Sequence, residues 1–255
     1  MTRFHRLAAF AGLLLLAACG APQSRDGIAA ACTKVEFEGS RFTVCRAEPG
    51  KHELLLVDKG ADDKPMRDFD TLDARLGERF PQLAFAMNAG MYDKDGLPIG
   101  YYVEDGAAQT RLNRNDGPGN FHMKPNGVFY GDAAGWHVAT TDDFAKAKPD
   151  HVRIATQSGP MLVIDGKLHP EFSENGESVQ IRNGVGVSAD GSAWFAISDD
   201  PVSFGRFARL FRDHIKAPNA LFLDGAVSRL WDPVADRKDG GAEIGPMVVA
   251  VQKRK

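Results

Sequence analysis

Residues 219 to 231 read N-A-L-F-L-D-G-A-V-S-R-L-W. Ala220 to Leu223 is an unbroken apolar run, and it ends in Asp224-Gly225. A short continuous run of this kind predicts a strand buried on both faces. Such a strand would fix the carboxylate, and the glycine would let a ligand approach the backbone closely. Ser228 adds a hydroxyl and Arg229 an anion partner within one turn. The same residues also suit a plain strand exit, with Asp224 as a turn residue.

The pattern of a polar residue beside glycine at the end of an apolar strand recurs. Leu83 to Met87 runs into Asn88-Ala89-Gly90, and Val152–Ala155 and Met161–Ile164 flank Gln157-Ser158-Gly159-Pro160. The strand-like run Gln180 to Val187 contains Arg182-Asn183-Gly184. An arginine in a buried strand needs an anionic partner. That partner is either a structural carboxylate, Asp199 or Asp224, or a ligand phosphate or carboxylate suited to the guanidinium fork. The polar segment Asn113 to Asn126, N-R-N-D-G-P-G-N-F-H-M-K-P-N, has an aromatic and basic end and is expected to be a binding loop.

Other segments set the fold class. Glu53–Asp58, Gly100–Glu104, Gly127–Tyr130 and Ala193–Ser198 are expected strands, and Asp165-Gly166 signals a hairpin. Met66, Phe69, Leu72, Leu76 and Phe80 recur at helical spacing, predicting a helix over Met66–Phe80 that Pro81 ends. Ser203 is placed to cap a second helix bearing Phe204, Phe207, Phe211 and Ile215. The expectation is one α+β domain over residues 32–255, with a large mixed, mostly buried β-sheet and a few flanking helices.

Composition is ordinary for a globular protein: 255 residues, 43% hydrophobic and 25% charged. A net charge of −3 gives no reason to expect nucleic acid as a partner. Arg3 and Arg6 precede an apolar run, Leu7–Leu16, too short for a stable membrane span. Leu16-Ala17-Ala18-Cys19 then reads as a bacterial lipoprotein signal. The expectation is a signal peptide over 1–18, lipidation at Cys19 and a tether over 19–31. A plain secretory signal with a chance cysteine is the alternative. Gly20 is not an acidic retention residue, which favours the periplasmic side of the outer membrane of a Gram-negative bacterium. An exported chain permits a disulfide. If Glu38-Gly39 is a two-residue hairpin turn, Val35 faces Phe42, Glu36 faces Arg41 and Cys32 faces Cys45, so a Cys32–Cys45 bridge is expected.

Several chemistries are missing from the sequence. It has no phosphate loop, dinucleotide fingerprint or nucleophile elbow, and its seven histidines lack zinc-site spacing. Neither a metal nor a cofactor is expected.

Asn88 to Tyr92, Ser158 to Lys167, Arg182 to Gly186 and Asp224 to Ser228 together resemble the phosphodiester glycosidase family over roughly residues 80 to 232. This is the family of the lysosomal uncovering enzyme, which removes N-acetylglucosamine from a phosphodiester. K-P-N-G-V-F-Y and N-A-L-F-L-D-G resemble an uncharacterised bacterial branch of it. The resemblance implies an envelope hydrolase that cleaves the glycosidic bond of a sugar phosphodiester. Asp224 would be the carboxylate that stabilises the oxocarbenium-like centre or activates water, with Asp199 in reserve. Arg182 and the backbone around Gly225 and Ser228 would clamp the phosphate. Asn88 and Asn126 would contact sugar hydroxyls, and Gly90, Ser158, Gly159 and Asn183 would complete the substrate site. The alternative is a non-catalytic lipoprotein that binds envelope glycans in the same cleft.

Overall fold

The computed structural model describes residues 28–225 and 227–254. The signal segment and Cys19 lie outside these residues, as does Ala226 in the D-G-A-V-S run.

The first hairpin forms in the expected register. Cys32–Phe37 pairs with Ser40–Ala47, placing Cys32 opposite Cys45 and Val35 opposite Phe42. Glu38 and Gly39 have φ of 48° and 71°, the left-handed pair that matches the twist of the flanking strands. The Cys32–Cys45 disulfide closes the base of the hairpin.

The fold is α+β, and its strands divide into three sheets in which every described ladder is antiparallel, where the sequence predicts one mixed sheet. The seven-stranded sheet runs, in space, Cys32–Phe37, Ser40–Ala47, Ala193–Ser198, Asn183–Val187, Asn219–Asp224, Met161–Ile164 and Lys167–Leu168. The second sheet centres on Leu83–Asn88, between Leu230–Asp232 and Met247–Gln252. The third centres on Ile154–Ser158, between Tyr102–Glu104 and Gly127–Asp132. All three turn one face to a common core. Phe195, Phe85 and Phe129, one from each sheet, meet there, with ring centroids 5.5 Å (Phe85–Phe195) and 5.6 Å (Phe129–Phe195) apart. Alternation along Asn219–Asp224 sends Leu221 and Leu223 into this core. Phe222 joins an outer cluster with Phe207 and Phe211.

Helical segments cover the outer faces. Ser203 caps Phe204–Arg209 as expected, its hydroxyl accepting from the Arg206 amide at 3.2 Å. That helix continues in π-helical turns over Leu210–Ile215 and buries Phe207, Leu210 and Phe211. The helix expected over Met66–Phe80 is much shorter: α-helical over Leu72–Leu76, then 3-10 over Gly77–Gln82 with Pro81 inside it. The apolar positions still bury as the periodicity requires. The start is lost because the Asp68 carboxylate accepts from the Asp70 amide at 2.8 Å, a local turn that competes with the helical bond.

Replacing Cys32 and Cys45 together by serine is expected to cost about 2–3 kcal/mol, the loop-closure value for a ring of this length. Thermal denaturation should show a lowered Tm; an unchanged Tm would mean that the hairpin register alone holds this edge of the sheet.

Candidate active site

The ends of Leu83–Asn88, Asn183–Val187 and Asn219–Asp224 meet where two sheets adjoin, and two buried amides join them. Asn88 Nδ2 donates to the Val227 carbonyl at 2.7 Å, and its Oδ1 accepts from the Arg229 amide at 2.9 Å. Asn183 Nδ2 donates to the Asn88 carbonyl at 2.8 Å, and its Oδ1 accepts from the Asp224 amide at 2.9 Å. Ser228 Oγ donates to the Asp224 carbonyl at 3.0 Å, and Ser158 Oγ to the Leu223 carbonyl at 2.6 Å. Asn88, Asn183 and Ser158 have no exposed surface. These side chains therefore template the backbone around Asp224 and do not line the adjoining cleft.

Asp224 opens onto a cleft of about 340 Å3, walled by Met91, Tyr92 and Ile99 on one side and by residues 118–122 on the other. This volume is at the low end for small-ligand sites, roughly 300–1,000 Å3. Tyr92 follows from the strand end through Gly90. A Cβ on Gly90 would lie 2.5 Å from the Gln157 carbonyl oxygen and from Thr156 Oγ1, so only glycine passes there. The Tyr92 hydroxyl donates to the Glu243 carbonyl at 2.8 Å. Burial, and then the nearby Asp224 charge, push its pKa up to about 12, so the phenol stays neutral.

The opposite wall is a strapped loop. Gln157 Oε1 accepts from the Tyr101 and Asn113 amides, both at 2.9 Å, while its Nε2 donates to the Asn113 carbonyl at 2.6 Å and to Thr141 Oγ1 at 3.1 Å. Asn126 Nδ2 donates to the Phe121 carbonyl at 2.9 Å. Asn126 and Gly159 thus sit behind the wall and support it, Gly159 packing directly against Asn126 and the Phe121 carbonyl. Among the described residues, no group of three or more His, Cys, Asp or Glu is placed to hold a metal ion.

The sequence profile described as phosphodiester glycosidase matches residues 82–245, which contain every element of this cleft. The chain belongs to the phosphodiester glycosidase family. It is 38% identical over 152 residues to uncharacterized protein YigE of Escherichia coli (strain K12), a match covering 59% of this chain and 58% of that relative. The fold is shared with the crystal structure of a hypothetical protein from Synechocystis, at a TM-score of 0.55 and 13% identity over 87% of this chain and 61% of the other. A second crystal structure, from Burkholderia pseudomallei K96243, matches at 0.54 and 12% identity over 83% and 74%.

In this member of the family, two residues predicted to act on substrate do not line the cleft. Arg182 is 1% exposed and does not line the cleft. Its Nε donates to the Val202 carbonyl at 2.8 Å and its Nη2 to the Ser178 carbonyl at 2.9 Å. The guanidinium carbon stands 3.6 Å from the Phe204 ring centroid, and no ion pair to Arg182 exists among the described residues. Carbonyls and an aromatic face thus take the place of the anion that the sequence led us to expect. Burial pulls the pKa of Arg182 down to about 10, which leaves it charged at neutral pH. Asp199 is likewise engaged: Arg237 Nη1 meets its carboxylate at 2.7 Å, and Thr43 Oγ1 donates to it at 3.0 Å. Gly225 packs over the Phe222 ring beside Asp224. Asp224 is thus the one predicted site residue that lines the cleft. Sequence reasoning missed Tyr92 and His122 as wall residues, although one lies just past the Asn88-Gly90 strand end and the other inside the expected binding loop.

A larger cleft, of about 960 Å3, lies between His52–Val57 and the Asp132–Trp136 turn. None of the strand-end residues reaches it, and two of its acids already pair with arginines lining the same cleft, Glu53 with Arg79 and Glu104 with Arg75. The smaller cleft is therefore the candidate active site.

Arg182→Lys should lower stability by about 2–4 kcal/mol, because lysine replaces the planar fork and the stacked face with a point charge. Differential scanning calorimetry measures this. Full retention of Tm would show that the buried fork contributes nothing.

Proposed function

We propose that this protein is a hydrolase that cleaves the glycosidic bond of a sugar phosphodiester. The observation that carries the reading is the Asp224 side chain, whose backbone the buried amides fix, lining a monosaccharide-scale cleft in a phosphodiester glycosidase domain. The leaving group of such a substrate is a phosphate monoester, far easier to expel than a sugar alkoxide. The site then needs less machinery than the carboxylate pair of most glycosidases. Asp224 faces the anomeric carbon, stabilises the positive charge that develops there and takes the proton of the attacking water. Met91, Tyr92, Ile99 and Phe121 give the sugar ring apolar and aromatic surface. We place the enzyme in the periplasm, anchored by a lipid on Cys19, on the strength of the Leu16-Ala17-Ala18-Cys19 signal.

The catalytic test is turnover of a nucleotide-linked or aryl sugar phosphodiester, followed by release of the reducing sugar. Asp224→Asn should reduce kcat by about 1,000-fold, the scale of losing a main electrostatic group, with Tm unchanged. A wild-type protein that binds glycans but turns over none of these substrates would instead favour a glycan-binding lipoprotein. The address has its own test: Cys19→Ser should leave a precursor of higher mass and release the protein from the membrane fraction. Membrane fractionation of the variant at wild-type level and mature size would overturn lipidation.

A further inference from the structure

A phosphodiester substrate carries a negative charge, and the arginine that sequence reasoning assigned to it is buried elsewhere. Among the residues lining the cleft, His122 is the only one able to carry a positive charge. Its tautomer is set by geometry. His122 Nδ1 lies 3.0 Å from the Asn115 carbonyl oxygen, an acceptor only, so Nδ1 carries a proton and donates it. The neutral ring therefore presents Nε2 as a base, and the protonated ring presents Nε2–H as an acid. The ring is also fixed in place. Phe121 packs edge-on against it, centroids 5.0 Å apart at 77°. Gly117 lies along the Cδ2–Nε2 edge, where a Cβ would come within 2.7 Å of Cδ2 and 2.8 Å of Nε2, so glycine leaves room beside that nitrogen. Asn115 is held in turn, its amide donating to Asn113 Oδ1 at 3.1 Å, and Asn113 is bound to Gln157. The charged groups around His122 are Asp116, paired with Lys124 at 2.5 Å on the same loop, and Asp224 in the cleft, with the neutral phenol of Tyr92.

We infer that His122 is the general acid of this site and holds the departing phosphate. This rests on the proposed reading of the site as a glycosidase acting on a sugar phosphodiester. In the step, the bond between the anomeric carbon and the phosphate oxygen breaks, and its electron pair goes to that oxygen. The Nε2 proton of His122 passes to the departing phosphate. Water supplies the oxygen that bonds to the anomeric carbon, and its proton passes to Asp224. The products are the free sugar and a phosphate monoester, and proton exchange with solvent restores both side chains.

The experiment compares wild type with His122→Asn and His122→Gln on one sugar phosphodiester across pH. His122→Asn keeps a donor for the Asn115 carbonyl and removes the transferable proton, so it separates catalysis from anchoring of the loop. Both variants should melt with the wild type and lose about 100-fold in kcat, the low end for a general acid because phosphate leaves readily. Both should also lose the alkaline limb of the pH profile, and added imidazole should restore part of the rate to His122→Ala. If either variant keeps the wild-type rate and pH profile, His122 is not the acid, while the reading as a glycosidase acting on a sugar phosphodiester stands. If His122→Asn keeps the rate and only His122→Gln fails, the ring merely anchors the loop and the inference is overturned. A silent wild type removes both readings together.

Discussion

Two buried side-chain amides hold the site together. Asn183 ties the carbonyl of Asn88 to the amide of Asp224, spanning 95 and 41 residues of sequence, and Asn88 in turn fixes the turn that follows Asp224. A buried amide left unsatisfied costs about 1–3 kcal/mol, so four backbone groups and two side chains are mutually committed. The consequence is geometric. The seven-stranded sheet and the sheet containing Leu83–Asn88 can meet in one relation only, and the Asp224 carboxylate is placed by that junction. The Phe85–Phe195–Phe129 cluster brings the same sheets together by non-directional burial. The amides supply the direction that burial lacks.

Charge is distributed by the same logic. Arg182 follows the strand rule that neighbours alternate faces: Asn183 points toward the Asn88 junction, so Arg182 points the other way, toward Phe204 and Phe222. There it is desolvated and stays charged by donating to carbonyls across an aromatic face. Its contribution is to pin the chain before the capped helix at Ser203, since its Nε bond ends on Val202. A cation buried in this way has its donors committed to carbonyls and does not line the cleft. What the cleft retains is one carboxylate and one imidazole, a pair whose environments can differ enough to divide acid and base roles between them.

Much of this was legible in the sequence. The hairpin register followed from one turn dipeptide and three cross-strand pairs, and the strand ends at Asn88, Asn183 and Asp224 from apolar runs halted by polar residues beside glycine. The roles of those residues were not legible. A polar side chain at a strand end can face a ligand or a neighbouring backbone, and the choice depends on which sheet abuts it, a long-range fact with no local signature. Arg182 shows the same limit. Burial demanded a partner, and sequence reasoning supplied an anion because backbone carbonyls and a phenylalanine face leave no mark at a fixed spacing. The short helix after Met66 failed for a local reason: periodicity reported the buried face correctly, but the Asp68 side chain competes for the amides that would start the helix.

The loop over residues 113–126 explains how so sparse a site can act. It is polar and rich in glycine and asparagine, a composition that suggests mobility. The structure instead ties it down at Asn113 through Gln157, at Asn115 through Asn113 and His122, at Asp116 through Lys124, and at Phe121 through Asn126. Each tie removes freedom before a substrate arrives, so little ordering entropy remains to oppose binding. A wall fixed in this way keeps its polar groups oriented toward charge that appears only in the transition state, and it does not reorganise when that charge develops. If the leaving group is the phosphate of the substrate we propose, orientation of Asp224 and His122 in one cleft meets most of the chemical demand. The many hydrogen bonds around them then serve to hold those two in place.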